Sequence, residues 1–165
     1  MAHQFTVNAA IKGVSLDEFK RIAADVSMHE AVCKRIPGEN LEILESKKNG
    51  DIYTLKRAYN LEVNIPDIAK KFLKDAFRLK RTDVSDLAKL TSVVTLDPNL
   101  PLEASCQRSV TGDDSQIELK LQWTVKVKVP LIGGMLEKHA EGEIRRFSEL
   151  EIEIVEDELR KNLMN

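Results

Sequence analysis

Cysteine is nearly missing from this chain: Cys33 and Cys106 are its only two. Two are too few for a disulfide framework or a recognisable zinc-ligand set. A basic surplus is missing as well. The 25 Lys and Arg face 27 Asp and Glu, for a net charge of −2 and a pI near 6.0. That balance argues against a general nucleic-acid binder, which carries an excess of positive charge. No apolar run approaches the roughly 18 residues that a membrane-spanning helix needs, so stable membrane insertion is not expected. The opening MAHQFTVNAAIKG lacks a basic segment followed by an apolar one. No signal peptide is evident, and a cytoplasmic location is the default expectation. Repeats, low-complexity tracts and long linkers are absent, so the 165 residues read as one domain with enough chain to bury a real core.

Chemistry-bearing motifs are equally scarce. Gly133-Gly134 has neither the spacing nor the Lys of a phosphate-binding loop, and close backbone approach is the simplest role for the pair. No Ser-His-Asp or Cys-His arrangement is readable. His139 has Glu143 one helical turn on, but two ligands without a third do not make a metal site. His3 and His29 have no assignable partner. Cys106 lies in an inward strand phase and reads as an inert buried thiol. The sequence offers no catalytic residue, no metal and no cofactor.

What is present is pattern, and residues 117–163 carry most of it. From Ile117 to Val129 the odd positions are Ile, Leu, Leu, Trp, Val, Val and Val, while the even positions are polar. Successive strand side chains point to opposite faces, so this alternation specifies a strand with one buried and one wet face. Pro130 ends it, and a helical period follows from about Leu131 to Leu163. Ile132, Leu136, Ala140, Phe147, Leu150 and Ile154 fall on one stripe of that helix. Glu137, Lys138, Glu141, Arg145, Glu149, Glu153 and Glu156 fall on the outer face.

The preceding chain adds the remaining elements. A first strand covers residues 3–11 and is broken by Gly13. Ser15-Leu-Asp-Glu18 is a capping box that opens a helix at about Leu16, with Val14 and Phe19 placed as a hydrophobic staple. A second box, Ser27-Met-His-Glu30, opens a short helix that Pro37-Gly38 terminates. Strands follow at 40–47 and 52–63, joined at Asn49-Gly50, a strong hairpin signal. Pro66 starts another helix, with Ile68, Ala69, Phe72, Leu73 and Ala76 on its apolar side. Strands at 78–85, 89–96 and 102–110 complete the series, and Gly112-Asp-Asp turns the last of them into the long strand.

An edge strand, two short helices, a run of antiparallel strands and a long C-terminal helix describe an α+β helix-grip fold. With the block VKVPLIGGMLEK at Val127–Lys138, this order resembles the START-like (SRPBCC) superfamily, and within it a bacterial family of uncharacterised function. That superfamily includes birch-pollen-allergen-type proteins, polyketide cyclases and lipid-transfer domains. The resemblance implies a curved sheet wrapped around the long helix, with an apolar cavity between them that holds a hydrophobic small molecule or lipid. It carries over no catalytic residue.

Candidate cavity residues are Tyr53, Leu55, Tyr59, Leu119, Leu121, Trp123, Leu136, Ala140 and Phe147. Two polar residues stand out among them. Arg57 shares the apolar phase of Tyr53, Leu55 and Tyr59, and an inward guanidinium needs a carboxylate or a water-filled space. Glu143 falls inside the helix stripe. Together they would orient the head of a ligand; alternatively, a β-bulge turns Arg57 outward and Glu143 lies at the stripe's edge. The leading expectation is a ligand binder. A cyclase- or isomerase-type enzyme using Arg57, Glu143 and Tyr59 is one alternative, and a module gripping a protein segment is another.

Overall fold

The computed structural model describes residues 2–61, 63–70, 78–98 and 100–164. In chain order the elements are β1 (His3–Lys12), α1 (Leu16–Ala23), α2 (Val26–Arg35), β2 (Glu39–Asn49), β3 (Ile52–Asn60), α3 (Asp67–Lys70), β4 (Arg78–Asp86), β5 (Thr91–Asp97), β6 (Leu102–Gly112), β7 (Gln116–Val127) and α4 (Gly133–Leu163). The strands form one antiparallel sheet in the order β1-β7-β6-β5-β4-β3-β2. The first strand thus closes on the last, and the intervening strands follow as a meander. The sheet curves around α4, which is the helix-grip arrangement the sequence pattern specifies.

The alternation in β7 has the expected result. Ile117, Leu119, Leu121, Trp123 and Val125 are buried, and Ile117 and Val125 are fully so. Burying a side chain of this size stabilises by about 1.5–3 kcal/mol, so this strand is the spine of the core. Its register with β1 is continuous from His3↔Val125 to Lys12↔Gln116. At the opposite edge, β2 is exposed almost throughout. Its Glu and Lys side chains suit an unpaired edge, because charge there discourages pairing with another chain.

Local signals set the helix starts. Ser15 caps α1: its Oγ accepts from the Glu18 amide at 3.1 Å, and Glu18 Oε1 accepts from the Ser15 amide at 3.0 Å. Val14 and Phe19 are buried together in the main core. The second box does not form. Asp25 caps α2 instead, accepting from the Ser27 amide and hydroxyl at 2.9 and 2.8 Å. Aspartate is as good a cap as serine, and it stands two residues earlier.

Several boundaries also move. β3 ends at Asn60 and β7 at Val127, short of the expected Val63 and Val129. α4 begins at Gly133, because Leu131 takes a left-handed backbone (φ 72°) and is fully exposed. The hairpin loop is Gly50-Asp51, with Gly50 supplying φ 62°. Ile68 on α3 is exposed, and the expected apolar positions Phe72, Leu73 and Ala76 lie outside the described residues.

The main departure on α4 is Glu137. It is 8% exposed, and its carboxylate accepts from the Val127 amide at 2.9 Å. It clasps the end of β7 rather than facing water. The same joint explains Gly133, whose substituted Cβ would meet the Val127 carbonyl oxygen at 2.8 Å. Gly134 has open space around it, so close approach accounts for only one of the pair.

These environments predict opposite effects of the same substitution. Gly133→Ala should destabilise by about 1–3 kcal/mol, since a backbone oxygen must give way. Gly142→Ala, mid-helix with nothing within 4 Å of the new methyl, should stabilise by about 0.5–1 kcal/mol. Urea denaturation of both variants checks the pair; a destabilised Gly142→Ala would contradict the geometry.

Candidate ligand cavity and its buried charges

The inward phase of β4 is unusual. Leu79 is followed by Arg81, Asp83 and Ser85, and all four are buried. On β3 the inward side chains are Tyr53, Leu55, Arg57 and Tyr59, and Arg57 sits directly across the ladder from Arg81. Like charges directly opposite each other destabilise a sheet, so compensation is required. Asp83 supplies one half of it. Arg81 Nε and Nη2 donate to the two Asp83 oxygens at 2.8 and 3.0 Å. Glu151 supplies the other half from α4, accepting from Arg81 Nη1 and Nη2, each at 2.9 Å. Such two-point pairs are the strongest common ion-pair geometry.

Two further arginines surround this centre. Arg108, on β6, lies 3.7 Å from Asp83 and 4.0 Å from Glu151, and donates to Ser92 Oγ at 3.2 Å. Arg57 Nη2 lies 4.0 Å from Asp83, beyond hydrogen-bond reach. Arg57 is 3% exposed, and its Nε and Nη2 have no hydrogen-bond partner among the described residues. Burial alone pushes the Asp83 carboxyl up, but attraction to Arg81, Arg57 and Arg108 outweighs it and holds the group far below the usual carboxylate range. Glu151 is lowered by the same balance, with Arg81 the main opponent of burial. Burial pushes the Tyr59 hydroxyl above its ordinary value and the Cys106 thiol up to about 11.

The ion cluster stands between two chambers under α4. The first, of about 160 Å³, is lined by Tyr59, Leu79, Trp123, Val127, Leu136, Ala140, Glu143, Ile144 and Phe147 among others. Trp123 Nε1 is buried without a partner among the described residues. The second, of about 90 Å³, lies beneath α1 and α2 and is lined by Phe19, Met28, His29, Val32, Leu55, Arg57, Arg108 and Leu119 among others. Arg81 borders the first chamber, Asp83 the second, and Glu151 both.

The structure therefore distributes the sequence candidates. Tyr59, Trp123, Leu136, Ala140, Glu143 and Phe147 line the first chamber, while Leu55, Arg57 and Leu119 line the second. Tyr53 and Leu121 line neither. The Tyr53 hydroxyl bonds to Ser46 Oγ at 2.7 Å, and its ring lies 5.1 Å from that of His29. Leu121 packs in the main core. Arg57 points inward through an unbroken β3–β4 register; the register shifts lie on the facing edge strand, between Glu39 and Glu42 and between Ile43 and Glu45. Glu143 does not meet Arg57. It pairs with Arg146 at 2.5 Å and accepts from Asn64 Nδ2 at 3.4 Å. His139 bonds to the Asn64 carbonyl, and among the described residues no three metal-ligating side chains converge. His29, unassigned from sequence, bonds to the Ala23 carbonyl at 2.6 Å.

The residues missed from sequence are Arg81, Asp83 and Glu151. Arg81 and Asp83 share the phase of Leu79, and Glu151 lies one turn beyond Phe147, but Ser85 in that phase and the acidity of α4 leave no contrast that marks them.

The sequence matches the family model Protein of unknown function (DUF2505) over residues 6–159. The chain belongs to that family. No curated protein matches it significantly. Solved structures share the fold at low identity. TTHA0849 from Thermus thermophilus aligns at a TM-score of 0.66 and 12% identity, over 97% of this chain and 99% of that one. The Zhui aromatase/cyclase from Streptomyces sp. R1128 aligns at 0.64 and 14%, over 98% and 96%. A START superfamily protein from Mycobacterium smegmatis aligns at 0.59 and 15%, over 96% and 98%. This DUF2505 chain thus has the START-like helix-grip fold. No helix among its described residues is long and apolar enough to cross a membrane.

The ion cluster makes a pH prediction. Carboxylates whose folded values are depressed contribute stability above their unfolded value of about 4 and lose it as pH falls towards the folded value. The thermal midpoint should therefore fall steadily below about pH 4. Asp83→Asn should flatten that acid limb while costing about 3–5 kcal/mol at neutral pH, because it leaves the arginines short of a counter-charge. Thermal melts of both proteins from pH 7 to pH 3 check this; equal slopes would exclude Asp83 as a source of the acid limb.

Proposed function

We propose that this chain binds a hydrophobic small molecule or lipid in the cavity between the sheet and α4. The observation that carries the reading is the first chamber: about 160 Å³ walled mostly by apolar side chains, Trp123 among them. The chamber is partly open, and an apolar ligand that covers its walls stabilises by about 25 cal/mol per Å² of apolar area removed from water. Concave, mostly apolar walls with a few placed polar groups are the usual make-up of small-molecule sites.

The shared fold supports the reading, since its solved neighbours include an aromatase/cyclase and a START superfamily protein. The charged walls favour holding a ligand over exchanging protons with it. Asp83 and Glu151 are kept ionised, and burial keeps the Tyr59 hydroxyl protonated at neutral pH.

Native mass spectrometry of the purified protein, followed by organic extraction, is expected to reveal a bound apolar species. Ala140→Trp, which fills the first chamber, should abolish that species while the protein still folds. Trp123 is the only tryptophan in the native sequence, so its emission reports occupancy directly. A protein that purifies empty, and whose Trp123 emission is unmoved by fatty acids, alkanols and aromatic probes, would overturn the proposal.

A further inference from the structure

We propose that the second chamber is a carboxylate site: Arg57 receives the head of a monoanionic amphiphile whose apolar part lies against the chamber's hydrocarbon walls. The inference rests on reading the cavity as a ligand site, and it names the class of ligand.

Charge balance is the first ground. Arg57, Arg81 and Arg108 converge on Asp83 and Glu151, leaving one positive charge in excess. Buried charge without a counter-ion is strongly unfavourable. The remaining described groups facing the chamber do not cancel it. Asp86 is at its edge but forms no ion pair with the three arginines among the described residues; its Oδ1 accepts from the amides of Ala88 and Lys89, each at 3.0 Å. His29 is tied to the Ala23 carbonyl.

Hydrogen-bond geometry is the second ground. Arg81 grips Asp83 with its Nε–Nη2 edge. The same edge of Arg57 is buried and has no hydrogen-bond partner among the described residues. Two parallel N–H groups in a plane fit the two oxygens of a carboxylate. A water molecule would satisfy a donor but not the charge. Nearby, Ser85 and Ser92 share a hydroxyl hydrogen bond at 2.8 Å and line the same chamber. Phe19, Met28, Val32, Leu119 and Val155 form its apolar side. One excess charge matches a carboxylate better than a doubly charged phosphate.

Isothermal calorimetry at neutral pH with octanoate, 1-octanol and octylammonium tests the proposal. Octanoate should bind about tenfold or more tighter than octanol, the value of one charge-assisted pair, and octylammonium should bind weakest. Arg57→Met should bring octanoate down to the alcohol's affinity. It should also melt at or above the parent's midpoint, since it removes a buried guanidinium whose Nε and Nη2 make no hydrogen bond among the described residues. Arg57→Lys keeps the charge but not the fork, and should lose most of the preference. Equal affinities for octanoate and octanol in the parent would overturn the proposal without any variant. So would an Arg57→Met protein that retains the preference. If acids and alcohols from butanoate to dodecanoate length all fail while an apolar probe still shifts Trp123 emission, the carboxylate site falls and the cavity reading stands. If the probe fails too, both fall.

Discussion

The structure depends on one buried cation. Arg81 lies on the inner face of the sheet, between a carboxylate of its own strand and one from α4. Removing a guanidinium from water costs several kcal/mol, recovered only when its donors and charge are met by good geometry. Asp83 and Glu151 provide that geometry at distances of 2.8–3.0 Å. Because Glu151 belongs to the helix and Asp83 to the sheet, the cluster is a directional tie between the two layers. Apolar packing alone would fix their separation but not their relative position along the helix axis.

That tie also decides what the interior can hold. A helix-grip domain with a purely apolar inner surface would have either a filled core or one greasy cavity. Here the cluster stands where the two layers would otherwise meet, and each side of it has its own character. Towards the start of α4 the walls are mostly apolar, Trp123 among them. Towards α1 and α2 the wall carries Arg57, Arg108 and serine hydroxyls. The two short helices, which the capping box and Asp25 position over the sheet, close this second space and give it hydrocarbon from Phe19, Met28 and Val32.

Much of this is legible in the sequence. The alternation of β7, the capping box at Ser15 and the long helical period after Pro130 each specify local geometry directly, and their order specifies the fold. The second cap is ambiguous because two good N-cap residues, Asp25 and Ser27, stand two positions apart, and only backbone geometry chooses between them. The site is legible in part. Arg57 is visible because it interrupts an otherwise apolar phase. Arg81 and Asp83 are not, because their phase also contains Ser85, so β4 carries no apolar alternation against which a charge stands out. Glu137 and Glu151 are hidden for a related reason. On an acidic helix a buried glutamate looks like a solvated one, and only its partner, the Val127 amide or Arg81, distinguishes it.

Arg57 then has a thermodynamic meaning that its neighbours do not. Arg81, Asp83 and Glu151 stabilise one another, so replacing any of them breaks a balance that exists without a ligand. Arg57 adds charge to a cluster whose carboxylates are already engaged. Its Nε and Nη2 make no hydrogen bond among the described residues, and on the proposed carboxylate site a bound anion supplies one. Whatever binds the folded state and not the unfolded one adds stability in proportion to the logarithm of its concentration over its dissociation constant. On that proposal, occupancy and stability are coupled through this one side chain. Stability alone would favour an apolar residue at this position. The arginine stands instead at a deeply buried part of the ladder, where its cost is great and a bound counter-charge gains correspondingly much.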